Sequence, residues 1–541
     1  MERNKKLTRK ICFWGTGTIC QEILKAHPEV QPSLFIDSNP SVDSIKSIPV
    51  IRPQEVQSWA DYYIVVTTKA YSEISCFLTE AGLNEGADFD SYVSFFELEK
   101  HNTSESLKKI QEYVSVHPEI RSCTLLAGPT FLARQSEHII NFWASYIRAH
   151  KDETFVFISR TSMQTQQYAE KMVGCFFIDL PEVCNYVGKR RESIDLAAEE
   201  QIVDRNRLNE SDEQMINDME NQLVSENKDE AITFSRIIMS YYIGLFDVLK
   251  PQKMVVCSDV IREYMVSAYL CEKNGIDYVY WDYGWIPGTL FFDHKGIAGR
   301  SKLSKEPAVY SLLNNKYSLD DIHYIFNEII KQRIDSGVFK DTKNDIEQLK
   351  KLNRDRKTVF LVGQGIENLV DGKSVFWRDG ISPEYDSMES ILEHLYRVCK
   401  SEGLNLIYKP HPGTINRDNL GDKYEDIALI RDMEINKLVK MSDVVVSLYS
   451  AVECNAMMLG KPVVQVGMSL LDKANCTYLA LKKNELANAV EQAIDNGFTS
   501  TQQKAFLEHA GKLLTNCLWK YRLDVSVEYG REVSESFFSI R

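Results

Sequence analysis

The residues best suited to chemistry fall in four clusters. His411 stands between Pro410 and Pro412, after the apolar run 405–409 that ends in Lys409. Tyr449 and Ser450 follow the run 443–448, with Glu453 three residues on. Gly363 and Gln364 close the run 358–362. Asp282 sits among Trp281, Tyr283 and Trp285, and Asp259 ends the neighbouring run 254–258. A histidine fixed by flanking prolines can donate hydrogen bonds to phosphate oxygens and, when protonated, offset leaving-group charge. The same residue also suits a packed turn. Ser450 at a helix start would offer its hydroxyl and the following N–H groups to an anion. Glu453 would accept the paired hydroxyls of a ribose, although Ser-x-x-Glu is equally a capping-box signature. Gly363 permits close approach of a ligand, and Gln364 can read a base or a sugar, or both can form a bare tight turn. A carboxylate at 282 can deprotonate an acceptor hydroxyl or attack an anomeric carbon, its basicity raised by the aromatic neighbours. The bland reading is a turn aspartate among core aromatics. Together these types describe a site for an anionic ligand, a nucleotide-diphosphate or nucleotide-monophosphate sugar. Asp282 and His411 are its reacting groups, and Asp259 is the second carboxylate.

The elements that position them read as α/β. Short apolar runs ending in turn-prone residues are the pattern of buried parallel strands, and ligands bind beyond the C-terminal ends of such strands. One α/β unit spans 119–302 and carries Asp259 and Asp282. A strand-free, charged stretch, 303–355, reads as bridging helices. A second unit spans 356–541, with amphipathic helix over 485–508 broken near Gly497 and further helices over 512–538 that return to the middle unit. Between 196 and 249 the composition predicts long helices, with a solvated acidic face over 199–230. Two successive α/β units facing a cleft are the plan of a GT-B glycosyltransferase. Ahead of them, residues 1–100 form a small Rossmann-like unit. There a strand at 10–14 leads into Gly15-Thr16-Gly17, and Asp37 follows Gly17 by twenty residues, the distance of a ribose-binding acid. Cys20 occupies the place of the third glycine. Gly15, Gly17 and Asp37 are either a nucleotide site or a turn kept for packing.

The totals restrict the partners. At 541 residues the chain holds about three domains. A net charge of -14 argues against nucleic acid as the main partner. Twelve cysteines without a CxxC pair suit reduced, buried thiols. No His/Asp cluster has metal-ligand spacing, so no metal and no cofactor is expected beyond the donor itself. The first apolar run is too short for a signal peptide, and no stretch reaches the ~18 apolar residues of a spanning helix. The expected location is cytoplasmic, with membrane contact at most peripheral.

With these pieces in order, the chain resembles the bacterial capsule polysaccharide biosynthesis proteins, which include Kdo transferases using CMP-activated Kdo. The matching residues are Asp282-x-Gly284-x-x-Pro287-Gly288-Thr289 with Gly296 and Ser301, Gly363-Gln364, Lys409-Pro410-His411-Pro412, and Ser450-x-x-Glu453 with Gly460-Lys461-Pro462. The family pattern often has Glu at the position of Asp282 and a second serine at that of Ala451. The resemblance implies that the C-terminal unit binds a CMP-sugar. His411 and Ser450, with Lys409, Tyr449, Gly363 and Gln364, would surround the donor, Glu453 would hold the ribose, and Asp282 would act on the sugar or acceptor. It implies a glycan or glycolipid acceptor and other polysaccharide assembly enzymes as partners. The N-terminal unit resembles the small Rossmann-like units attached to bacterial surface-sugar enzymes. A glycerophosphotransferase using CDP-glycerol shares the His-Pro and Tyr-Ser elements and lacks the 282–301 segment. A non-catalytic, nucleotide-responsive assembly protein, sensing through Gly15-Thr16-Gly17, is the alternative from another class.

Overall fold

The computed structural model describes residues 9–95, 103–127, 136–159, 171–181, 207–335, 342–411, 423–521 and 529–539, apart from positions 39, 41, 69, 70, 86 and 226. Pro412, Gly413, Gly128 and the acidic stretch 199–206 lie outside the described residues. The chain forms two compact units, 1–208 with 237–251 and 209–236 with 252–541.

In the first unit, β1 (Lys10–Trp14), β2 (Leu34–Ile36), β3 (Ser44–Ile45), β4 (Ile48–Ile51), β5 (Tyr62–Val66) and β6 (Phe89–Ser91) make one sheet, in the order β3-β4-β2-β1-β5-β6. All pairings are parallel except β3 with β4. Successive side chains of β1 enter opposite cores, Phe13 with Phe35 and Val65, Cys12 and Trp14 with Ile36 and Val66. A parallel strand covered on both faces needs apolar residues at every position, so its run is continuous rather than alternating. The strands β7 (Thr124–Ala127), β8 (Phe155–Ser159) and β9 (Cys175–Asp179) pair in parallel, with β8 in the middle.

One helix departs from the sequence expectation. Lys228–Leu249 is long and apolar enough to cross a membrane by length and composition. Its apolar side chains line a protein core instead: Ile237, Tyr242 and Leu245 are fully enclosed.

In the second unit, β10 (Lys253–Cys257) pairs in parallel with β11 (Asp277–Tyr283), which turns back antiparallel into β12 (Thr289–Asp293). The turn is held by the Gly284 N–H donating to the Thr289 carbonyl at 2.7 Å and by the Thr289 hydroxyl donating to the Ile286 carbonyl at 2.6 Å. A Cβ on Gly284 would fall 2.1 Å from the Thr289 hydroxyl, which accounts for the glycine. Helices over Pro307–Leu312, Leu319–Asp335 and Lys343–Leu349 follow. Six parallel strands then form the second large sheet: β13 (Thr358–Val362), β14 (Asn405–Lys409), β15 (Ile427–Leu429), β16 (Val444–Ser447), β17 (Val463–Gln465) and β18 (Tyr478–Leu479). Their order is β15-β14-β13-β16-β17-β18. The chain builds outward from β13 in one direction and returns to build from β16 in the other. The crevice between the tips of β13 and β16 is therefore the switch point at which α/β sheets bind ligands.

The tail differs from the sequence reading. Helices Leu486–Asn496 and Ser500–Asn516 are separated by Gly497 at φ +62°. The chain then returns to the middle strands as a strand rather than as helices: β19 (Leu518–Lys520) pairs antiparallel with β12. Burial of Trp519 accounts for this. Its ring is fully enclosed, 5.0 Å from that of Phe292, with the Arg531 guanidinium 4.4 Å above it. The fold is α/β on Rossmann-like parallel sheets.

Trp519→Ala is expected to lower unfolding free energy by about 3–5 kcal/mol, measured by urea denaturation. A loss within the error of the wild-type value would mean that β19 does not hold this edge.

Candidate active site

The site residues that the structure brings together all belong to the second unit. Asp282 is the penultimate residue of β11. Its Oδ1 accepts the N–H of Tyr283 at 2.7 Å. The side chain is half-buried, and burial pushes its carboxyl up to about 6 despite that hydrogen bond. Asp259 pushes in the same direction and Arg300 in the opposite one. A carboxyl near neutrality with residual access to solvent can take a proton from a hydroxyl at physiological pH.

Asp259 has another task. Its two oxygens receive the Arg300 guanidinium side-on, Nε to Oδ2 at 2.8 Å and Nη2 to Oδ1 at 2.5 Å, and the Ile297 N–H adds a third bond at 3.0 Å. The pair is well buried, with side-chain exposures of 7% and 15%. Both oxygens are thus held, so Asp259 is corrected from second catalytic carboxylate to the partner of Arg300.

The Asp282–Ser301 segment exists to deliver this arginine. Asp293 gathers the loop by accepting the N–H groups of Lys295, Gly296 and Lys302. Gly296 lies so close to Asp259 that a Cβ would meet its Oδ2 at 2.8 Å. Gly299 packs its backbone on Gly380 and Met468, where a Cβ would come within 2.4 Å of the Gly380 carbonyl. Ser301 caps the short turn Lys302–Lys305, accepting the Ser304 N–H. Phe376 lies 4.1 Å under the guanidinium. Ser258 and Ala298, which flank the pair, both hold left-handed backbone (φ 71° and 51°), a strain that clusters where geometry is over-determined.

From the other sheet, Tyr449 reaches the same cluster. It follows β16 at the switch point, and Arg300, Asp282 and Asp259 all act on its phenol. Burial holds that phenol protonated, well above its ordinary pKa. His411 follows β14, two strands from β16, or about 10 Å at ordinary strand spacing. Between them, Gly363 at the tip of β13 donates its N–H to the Lys409 carbonyl at 2.8 Å. A Cβ there would meet the Lys409 carbonyl at 2.6 Å and the His411 amide at 2.8 Å, so this glycine first serves the packing of the 409–411 turn. Gln364 beside it is half-buried. His411 is exposed at the surface, yet its neighbours lower its imidazole pKa by burial. The shift favours the neutral imidazole, which offers an N–H.

Three further side chains are engaged locally. The Lys409 ammonium donates at 2.5 Å to the Arg431 carbonyl, just past the end of β15, and burial lowers its pKa against the pull of Asp345, Asp432 and Glu434. Ser450 serves the start of the following helix, the capping role open to it in the sequence. The helix Val452–Met458 starts from Ala451, which has no capping side chain of its own. The Ser450 N–H goes to the Ser447 hydroxyl, and the Ser450 hydroxyl takes the Val452 N–H. Glu453 is fully buried rather than open to a ribose, beside Ser447, Ser469 and Asp472. Neither of its oxygens finds a well-directed hydrogen bond, and burial raises its carboxyl to about 8, with Asp472 adding to the rise.

No family model and no curated protein matches the chain. Solved structures show partial likeness. KpsC of Thermosulfurimonas dismutans, a beta Kdo 2,4 transferase, aligns at 17% identity and a TM-score of 0.33, over 49% of this chain and 80% of that one. Its beta Kdo 2,7 transferase aligns at 18% identity and a TM-score of 0.28, over 46% and 79%. The UDP-GlcNAc 2-epimerase of Methanocaldococcus jannaschii, in complex with UDP-GlcNAc and UDP, aligns at 13% identity and a TM-score of 0.32, over 71% and 97%. Likeness of this size says nothing of activity.

In the N-terminal turn both donors of Thr16 are in use. Thr16 gives Asp37 both its N–H, at 3.0 Å, and its hydroxyl, at 2.5 Å. Gly15 holds φ +111°, and a Cβ there would meet Thr68 at 2.9 Å. The Thr67 hydroxyl bonds the Gly15 carbonyl at 2.7 Å across the β1–β5 switch point. Asp37 ties this turn together, and Gly17 alone has open space around it.

Arg300 is the partner of Asp259 that the sequence reading missed. Four basic residues, Lys295, Arg300, Lys302 and Lys305, share that loop. The only sequence clue was the lone acid at 259 after a buried strand, which needs a positive partner.

Glu453 makes a pH prediction. Its folded carboxyl binds a proton up to about 8, against 4.5 for the ordinary group. The folded chain thus holds the extra proton in that window, and stability falls as pH rises through it. Glu453→Gln should flatten this fall, read as Tm at pH 5 and pH 8. An unchanged difference would contradict the buried, protonated carboxyl.

Proposed function

We propose that the chain is a GT-B glycosyltransferase of bacterial surface polysaccharide biosynthesis. It transfers Kdo or a related nonulosonic acid from a CMP-sugar to a glycan or glycolipid acceptor, in the cytoplasm. The observation that carries this reading is Asp282 near the end of β11, a half-buried carboxyl raised by burial to about 6, in the same unit as the switch point beyond β13 and β16. The sequence resemblance supplies the donor class.

In the reaction the acceptor oxygen bonds to the anomeric carbon, and the bond from that carbon to the CMP phosphate oxygen breaks with its electron pair. CMP leaves as the anion. In an inverting course Asp282 removes the acceptor proton as the new bond forms. In a retaining course Asp282 attacks the anomeric carbon first, and the acceptor displaces it. The anomeric configuration of the product separates the two. His411 stands at the tip two strands from Tyr449, where a neutral imidazole N–H can bond a phosphate oxygen. Tyr449 offers a protonated phenol to the same group. Uncharged donors of this kind stabilise the charge on the leaving phosphate by hydrogen bonding.

Nucleotide release from CMP-Kdo, CMP-sialate and CDP-glycerol tests the reading. Turnover is expected with a CMP-sugar, and Asp282→Asn is expected to lower kcat by about 100-fold or more with an unchanged circular dichroism spectrum. The wild-type rate should rise with pH through about 6, where Asp282 ionises. His411→Ala should raise KM for the donor about tenfold. Turnover of CDP-glycerol alone would replace the sugar by glycerol phosphate. Absence of CMP binding, with neutral Asp282 and His411 variants, would leave an assembly protein.

A further inference from the structure

Arg300 sits where four segments of the second unit meet. Its fork closes on both oxygens of Asp259, which follows β10. Its guanidinium lies 4.1 Å from the centre of the Phe376 ring. Phe376 belongs to the short helix Val375–Gly380, on the chain that leaves β13. That helix ends against the arginine itself, since a Cβ on Gly380 would strike the Arg300 stem. Gly299 packs on the Gly380 carbonyl and on Met468, whose Cβ would lie 2.5 Å from one added at 299. Glycines at 299 and 380 are what let these backbones approach so closely.

The junction continues by direct contacts to the tip of β16. The Met468 N–H donates to the Ile381 carbonyl at 2.7 Å, and the Ser382 hydroxyl to the Val466 carbonyl at 3.3 Å. The end of the helix thus holds the chain that leaves β17. That chain in turn holds the end of β16. The Val466 N–H donates to the Ser447 carbonyl at 2.9 Å. Gly467 is wedged between the Leu448 carbonyl and the Ile381 carbonyl, the latter 2.8 Å from an added Cβ. Leu448 is fully enclosed, and Tyr449 is the next residue. Most of these contacts run from backbone to backbone or against a glycine. No side-chain rotamer is there to absorb a displacement, so close-packed segments pass it on.

Resting on the transferase reading, we propose that Arg300 is the positioning residue for Tyr449. Through the 376–382 and 466–468 segments it sets where the phenol stands to meet the donor phosphate. Arg300 itself touches no substrate. Asp259 fixes the fork and Phe376 fixes its plane, so the position requires a flat, bidentate cation and not charge alone. A lysine can still pair with Asp259, but it cannot fill the space between carboxylate and ring. A mere brace would show in stability and leave Tyr449 where it is.

The test places 3-fluorotyrosine at position 449 of the full chain and reads its ¹⁹F resonance, with CMP affinity measured by calorimetry alongside. Arg300→Lys and Phe376→Leu should each displace the resonance and weaken CMP binding by about tenfold. Gly380→Ala keeps both side chains but drives a methyl group into the arginine stem, and should displace the resonance too. Trp519→Ala, at the β19 edge, should lower stability and leave both the resonance and the CMP affinity unmoved. If Arg300→Lys does not fold, Phe376→Leu and Gly380→Ala still decide the matter. A resonance that stays in place in any of the three that folds, or that moves as far in Trp519→Ala, would overturn the proposal. The expected displacements in a chain that binds no CMP in any form would uphold the positioning of Tyr449 and reject the donor reading.

Discussion

A buried ion pair is costly to form and more costly to break, since each partner left alone is a charge in a poorly solvated place. Much of the second unit answers to one such pair. Asp259 follows β10 and Arg300 follows β12, with β11 between those strands in the sheet, and the loop between β12 and the helices is folded so that the two side chains meet. Asp293 collects three backbone amides of that loop, and glycines stand where a side chain would strike a carboxylate or a carbonyl. Farther on, the Ser304 hydroxyl donates to Asp472 at 2.6 Å, and the same Asp472 accepts Gln465 from the end of β17 at 2.7 Å. The loop that carries Arg300 is thereby tied to the strands that carry Tyr449.

Charge, rather than shape, then distinguishes the two carboxylates. Asp259 is doubly bonded to a guanidinium and unavailable. Asp282 has a single backbone hydrogen bond, partial burial and a near-neutral carboxyl. Two acids separated by environment rather than by residue type are a recurring way of assigning one to chemistry and one to support. The other sheet contributes a phenol kept protonated by burial and an imidazole whose pKa is lowered by desolvation. An arrangement with its base on one side and neutral donors on the other fits a reaction that develops negative charge on a leaving phosphate.

Much of this was legible in the sequence. The continuous apolar runs at 358–362, 405–409 and 443–447 gave the parallel sheet, because strands buried on both faces admit nothing else. Their polar ends gave the edge on which Gly363, His411 and Tyr449 stand. The return of the tail was legible as well, but its form was not. Leu518–Lys520 is three residues long, and a run so short has no period to distinguish strand from helix. The local partners of other site residues were not legible. Lys409 and Glu453 were assigned by residue type at a strand tip, whereas in the fold Lys409 donates to a carbonyl at 431 and Glu453 is buried beside Asp472. Such partners depend on packing between segments far apart in the chain. Arg300 was overlooked for the same reason, since its partner lies 41 residues away.

The central claim is that a cytidylate binds at the β13–β16 switch point with Asp282 facing it. A structure of the full chain with CMP bound tests this most directly. The account predicts the CMP phosphate between the tips that bear Gly363 and Tyr449, and the Asp282 carboxyl within reach of the atom to which the sugar would be joined. CMP seated instead at the Gly15–Gly17 turn, or at the switch point with Asp282 directed away from it, would contradict the account.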